Sequence, residues 1–150
     1  MSVITAELDF EVKLTERPGG LFCAERGPLV YSLPVPYAMT REEYEADGVE
    51  RKFPYCDYET LPAGPWNYGF ASGAFTFEER EIGDFPFSQE TPPVVLKTVM
   101  KKVPWRIREG CAAVCNALPD AAAGDAPAEQ KELIPYGCTM LRMTEMPKLD

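Results

Sequence analysis

Fifteen prolines fall within 150 residues, about twice ordinary usage, and eleven glycines lie among them. A proline inside a helix removes a backbone hydrogen bond and clashes with the preceding turn, so long helices are interrupted almost everywhere along this chain. Short strands between turns are what remains. At this length one domain, residues 1–150, buries roughly 70% of its unfolded surface and needs no disulfides to stabilise a core.

Period-two alternation marks the strands. Leu8, Phe10, Val12 and Leu14 alternate with Asp9, Glu11 and Lys13, a strand with one wet face. Pro18, Gly19 and Gly20 make a turn, and Leu21–Ala24 leads through Gly27 into PLVYSLPV, a more fully buried pair. In WNYGF the same rule puts Trp66, Tyr68 and Phe70 on one face, Asn67 on the other. SGAFTFEER places Phe75 and Phe77 together. PPVVLKTVMKKVPWRI carries lysines on one side only and reads as a strand near a sheet edge. LIPYGCTMLRMTEM closes the chain with a final strand. Thr40 followed by Glu43 is a capping-box pattern, which predicts a short surface helix ending at Gly48. The Ala- and Pro-rich stretch 117–132 reads as a mobile surface loop. The sum is an all-β chain of about eight to ten strands, a β-sandwich or jelly roll with one short surface helix.

Charge and composition exclude several functions. The formal net charge of −9 repels phosphate backbones and anionic headgroups, so nucleic acid and membrane surfaces are not expected partners. No apolar run approaches membrane-spanning length, and the first residues lack leader features. A cytoplasmic chain with reduced thiols is expected, unless it is cut from a longer exported protein. Histidine is absent, which removes the usual general base, the Ser-His and Cys-His pairs and most catalytic zinc sites.

Three clusters remain to be weighed. Cys111 and Cys115 have a C-x3-C spacing within the range of zinc ligands, but there is no second tight pair and no histidine, so buried inert thiols are the better reading and no metal is assigned. Glu78, Glu79, Glu81 and Asp84 supply carboxylates, yet such a run is more often a solvated face than a glycosidase pair. Trp66 and Tyr68 supply aromatic faces that stack on sugars or fill a core; three aromatics on one strand face are usually core.

Four stretches, ERGPLVYSLPV at 25–35, PAGPWNYGF at 62–70, PPVVLKTVMKKVPW at 92–105 and LIPYGCTMLRMTEMP at 133–147, occur in an order and spacing that resemble the C-terminal β-sandwich region of bacterial β-L-arabinofuranosidase-like glycoside hydrolases, glycoside hydrolase family 127 and its relatives. The resemblance covers most of the chain from Glu25 onward. In that family a large (α/α) barrel carries catalysis with a cysteine nucleophile, a thiolate-held zinc and a glutamate. This chain has no room for the barrel, and its cysteines do not sit in the family's catalytic motifs. The resemblance therefore implies an accessory domain with no catalytic residue or cofactor of its own, whose partner is a catalytic barrel in cis or in trans. The alternative is a free-standing carbohydrate-binding module that uses Trp66 and Tyr68.

Overall fold

The computed structural model describes residues 3–6, 8, 10–108 and 125–149. The Ala-rich stretch up to residue 124 and the Cys111–Cys115 pair lie outside the described residues. Two tight hairpins start the fold. β1 (Val12–Arg17) and β2 (Leu21–Arg26) pair antiparallel across Pro18, Gly19 and Gly20, with both glycines at positive φ. β3 (Leu29–Pro34) returns through a two-residue turn opened by Gly27 at φ 57°.

These turns correct the predicted first strand. Register counts back from the turn, Arg17 opposite Leu21 and Val12 opposite Arg26, and β2 ends there. Among the described residues before Val12 none lies in a paired strand, and Leu8 is exposed. The predicted alternation survives, since Val12 and Leu14 pack against the core.

The predicted helix at 40–48 does not form. β4 (Tyr37–Glu42), β5 (Tyr44–Ala46), β6 (Val49–Arg51) and β7 (Asp57–Pro62) occupy the region, with β4 paired to β7 and β5 to β6. Asp47 and Gly48 both take positive φ, 53° and 73°, between Ala46 and Val49, which face each other. That is the type I′ hairpin geometry which Asp-Gly favours, so Gly48 turns a hairpin and caps no helix. The four strands form an arm of two two-stranded ribbons that leaves the core after β3 and comes back before β8 (Tyr68–Phe70).

β9 (Thr76–Glu79), β10 (Val94–Lys102) and β11 (Ala128–Pro135) complete the main sheet, followed by a 3-10 turn at Tyr136–Cys138 and two short pieces, β12 (Arg142–Met143) and β13 (Met146–Pro147). The sheet runs β1-β2-β3-β11-β10-β8, with β9 also on β10, β12 on β3 and β13 on β2. Two further expectations change. β10 is no edge strand: β11 pairs one side of it and β9 and β8 the other. Residues 128–132, read from sequence as loop, lie in β11.

The sheet curls until its halves face each other across one core, which gives the all-β fold its sandwich-like character. Ala24, Tyr31, Leu33, Tyr68, Phe70, Leu96, Met100, Leu133 and Met146 form that core. The C-terminal segment closes the curl. β13 pairs with β2, and just beyond it Lys148 bridges Phe70 while the Leu149 amide donates to the Phe70 carbonyl at 2.8 Å.

Gly69 makes this closure possible. A Cβ there would sit 2.9 Å from the Pro147 carbonyl oxygen and 2.9 Å from a Leu149 methyl. Backbone cannot yield as a side chain can, so Gly69→Ala is expected to cost about 1–3 kcal/mol, the usual penalty of overpacking. A lowered urea midpoint relative to the native chain is the expected reading; an unchanged midpoint would show that the closing segment is not tightly seated.

Candidate functional site

Trp66 and Tyr68 belong to different environments. Trp66 precedes β8 and is half-buried in a small cluster with Leu21, Val103, Trp105 and Leu149. Its ring lies 5.8 Å from that of Trp105 at an interplanar angle of 51°. Asn67 holds the segment by donating from Nδ2 to the Val103 carbonyl at 2.6 Å, while its own carbonyl accepts from the Val103 amide at 2.9 Å. Tyr68, two residues on, is 1% exposed in the main core. Its hydroxyl donates to Glu129 Oε2 at 3.0 Å, and Lys131 Nζ stands 4.4 Å from the ring centre. Lys131 and the Tyr68 hydroxyl together hold the Glu129 carboxyl below the usual carboxylate range. Tyr68 thus presents no face to a ligand, and the two rings form no shared platform.

The carboxylates of the 78–84 run are partly absorbed by cations. On the outer face of β9, β10 and β11, Glu78 bonds Arg80 at 2.8 Å and Lys97, and Arg80 also reaches Glu132 at 2.8 Å. The bonds to Lys97 and then Arg80 hold the Glu78 carboxyl low. A glycosidase acid needs the opposite shift, a carboxyl kept protonated near neutral pH.

Among the described residues no group of three or more Cys, Asp and Glu side chains is placed to hold a metal ion. Cys23, Cys56 and Cys138 are free thiols. Burial pushes the Cys23 thiol up against the opposing pull of Arg17, and burial alone raises Cys138.

The structure also assembles a surface that sequence reasoning did not single out. The 3-10 turn at Tyr136–Cys138 lies against the loop that carries Phe87, and Gly137 is where they meet, since a Cβ there would stand 3.3 Å from Phe87 Cδ1. An open cleft of about 480 Å³ lies on one side, lined among others by Arg17, Tyr136, Thr144 and Glu145. One of about 370 Å³ lies on the other, lined among others by Tyr37, Gln89, Glu90 and Thr139. Local sequence around Tyr136 carries no information about the distant Phe87, so the pairing could not be read in advance.

The chain matches no protein-family model, and comparison with curated proteins and with solved structures finds no match. Among the described residues no helix is long and apolar enough to cross a membrane.

Two measurements test this account of the charged and thiol groups. Lowered in the folded state, Glu78 contributes stability above the unfolded glutamate value of about 4.3, and that contribution is lost as pH falls through the folded value. Glu78→Gln should therefore lower the urea midpoint at neutral pH and leave it unchanged in strong acid. Native-state alkylation at mildly alkaline pH should label the half-buried Cys56 before the buried Cys23 and Cys138, as read by peptide mass spectrometry. Denaturant should erase the difference; early labelling of Cys23 would contradict its burial.

Proposed function

We propose that this chain is a non-catalytic accessory domain which packs against a separate catalytic (α/α) barrel of a β-L-arabinofuranosidase-like glycoside hydrolase, in cis or in trans. The four-motif resemblance supplies the family. The observation that carries the packing role is the arm. Every residue of β4 is exposed, as are Met39, Tyr44, Val49 and Tyr58 on the two ribbons and Phe53 and Tyr55 in the segment between β6 and β7. A two-stranded ribbon has no core of its own and is marginally stable at best in water. Apolar side chains held out on such an element are the usual mark of a protein contact. The free thiols agree with a cytoplasmic setting, which is part of the same reading.

Turnover and exchange test it. Incubated alone with arabinofuranosides, the purified chain should release no sugar, and clear turnover would end the non-catalytic reading. Amides of β4 to β7 should exchange with solvent much faster than those of β10 and β11 in the isolated chain. They should slow when the catalytic barrel encoded in the same or the adjacent reading frame is present. Arm exchange unchanged by the barrel would remove the docking role.

A further inference from the structure

We infer that the ridge formed by Phe87 and Tyr136, with the clefts on either side, is a binding site for a neutral oligosaccharide. The two rings are exposed, Phe87 by 70% and Tyr136 by 49%. Yet the Tyr136 ring is held in place, and the loop that carries Phe87 is tied to its turn. The Arg142 guanidinium stacks 3.6 Å from the Tyr136 ring centre and is itself fixed by the carbonyls of Thr139 and Met140. That leaves the opposite face of the ring for a ligand. Two contacts tie the turn to the Phe87 loop: Cys138 Sγ donates to the Pro86 carbonyl at 3.7 Å, and Thr139 Oγ1 donates to Gln89 Oε1 at 2.8 Å. Aromatic rings positioned by their surroundings lose little freedom on binding, which is what a shallow site requires.

The flanking groups select the ligand class. Each cleft falls within the roughly 300–1,000 Å³ range of small-molecule sites. Aromatic faces receive the C–H face of a sugar ring, while its hydroxyls need acceptors and donors at the edge. Glu90 and Glu145 offer acceptors. Ser88 and the Glu90 backbone amide hold the Glu90 carboxyl below the usual carboxylate range. Gln89, with its oxygen engaged by Thr139, keeps a two-proton donor on its nitrogen. Arg17, the cation lining the larger cleft, is already paired with Glu25, so the carboxylates, on a chain of net charge −9, repel uronates, phosphates and sulfates and the oligosaccharide is neutral. This site uses neither Trp66 nor Tyr68 and goes beyond the packing role, which survives if it fails.

Titration calorimetry of the whole chain with arabino- and xylo-oligosaccharides, and with oligogalacturonate as the anionic control, tests the inference. Saturable binding of at least one neutral oligosaccharide is expected, with oligogalacturonate silent. Phe87→Ala and Tyr136→Ala should each weaken it about tenfold, the scale of one lost aromatic contact, while Trp66→Ala leaves it unchanged. Phe87 is so exposed that its removal leaves the fold intact by circular dichroism, and that variant decides the matter if Tyr136→Ala disturbs folding. No heat from any neutral oligosaccharide at millimolar concentration, binding undiminished by Phe87→Ala, or stronger binding of oligogalacturonate would overturn it.

Discussion

β10 is the strand on which the rest of the molecule depends. It hydrogen-bonds β11 along one side and β9 and then β8 along the other, so that three strands meet on its backbone. Leu96 and Met100 project from it into the core, and both are fully buried. Burying a side chain of that size contributes roughly 1.5–3 kcal/mol, and here the benefit reaches several strands at once. Lys97 projects from the opposite face into the ion pairs with Glu78 and Glu132. One strand therefore orders a dry layer and a charged layer, and it also places β8 where the C-terminal segment can close the sheet.

The all-β character and the inward parity of most strands were legible because alternation is a local property. Leu14, Tyr31, Tyr68, Phe77 and Leu96 fall on the core side as their spacing implies. Partnership is not local. The lysines of β10 were read as an edge signal, but charge on one face says only that the face is wet, and nothing near residues 94–102 reveals strands on both sides. The Asp47-Gly48 pair was ambiguous in a different way. The helix predicted from the capping box ends where a type I′ turn sits, and the turn prevails because β5 and β6 pair with each other across it and β4 pairs with β7. The 128–132 segment looked like loop because its side chains are polar, although Glu129 and Lys131 serve β11 by enclosing Tyr68.

The candidate site was less legible for the same reason. Trp66 pairs with Trp105, Tyr68 with Glu129, and Phe87 with Gly137, contacts that span 39, 61 and 50 positions of sequence. Period-two reasoning placed Trp66 beside Tyr68 because it assumed that the strand begins at residue 66. β8 begins at Tyr68, and the bonds between Asn67 and Val103 seat Trp66 in the second cluster. Aromatic content was therefore visible from the start, but which rings face solvent was decided by closure of the sheet.

The division between core and arm follows from the energetics of ribbons. Fixing a residue's backbone costs about 1–2 kcal/mol in lost entropy, and in the main sheet that cost is offset by apolar burial. The arm has cross-strand pairs and surface ion pairs such as Arg41–Glu43 and Lys52–Glu50, whose typical worth is only about 0–1 kcal/mol. Its order is therefore sensitive to whatever covers its aromatic side chains, while the core is indifferent to it. The chain thus joins a sheet that encloses its own core to two ribbons that enclose none. Substitutions on the arm therefore leave the packing around β10 unchanged, because the two draw on different contacts.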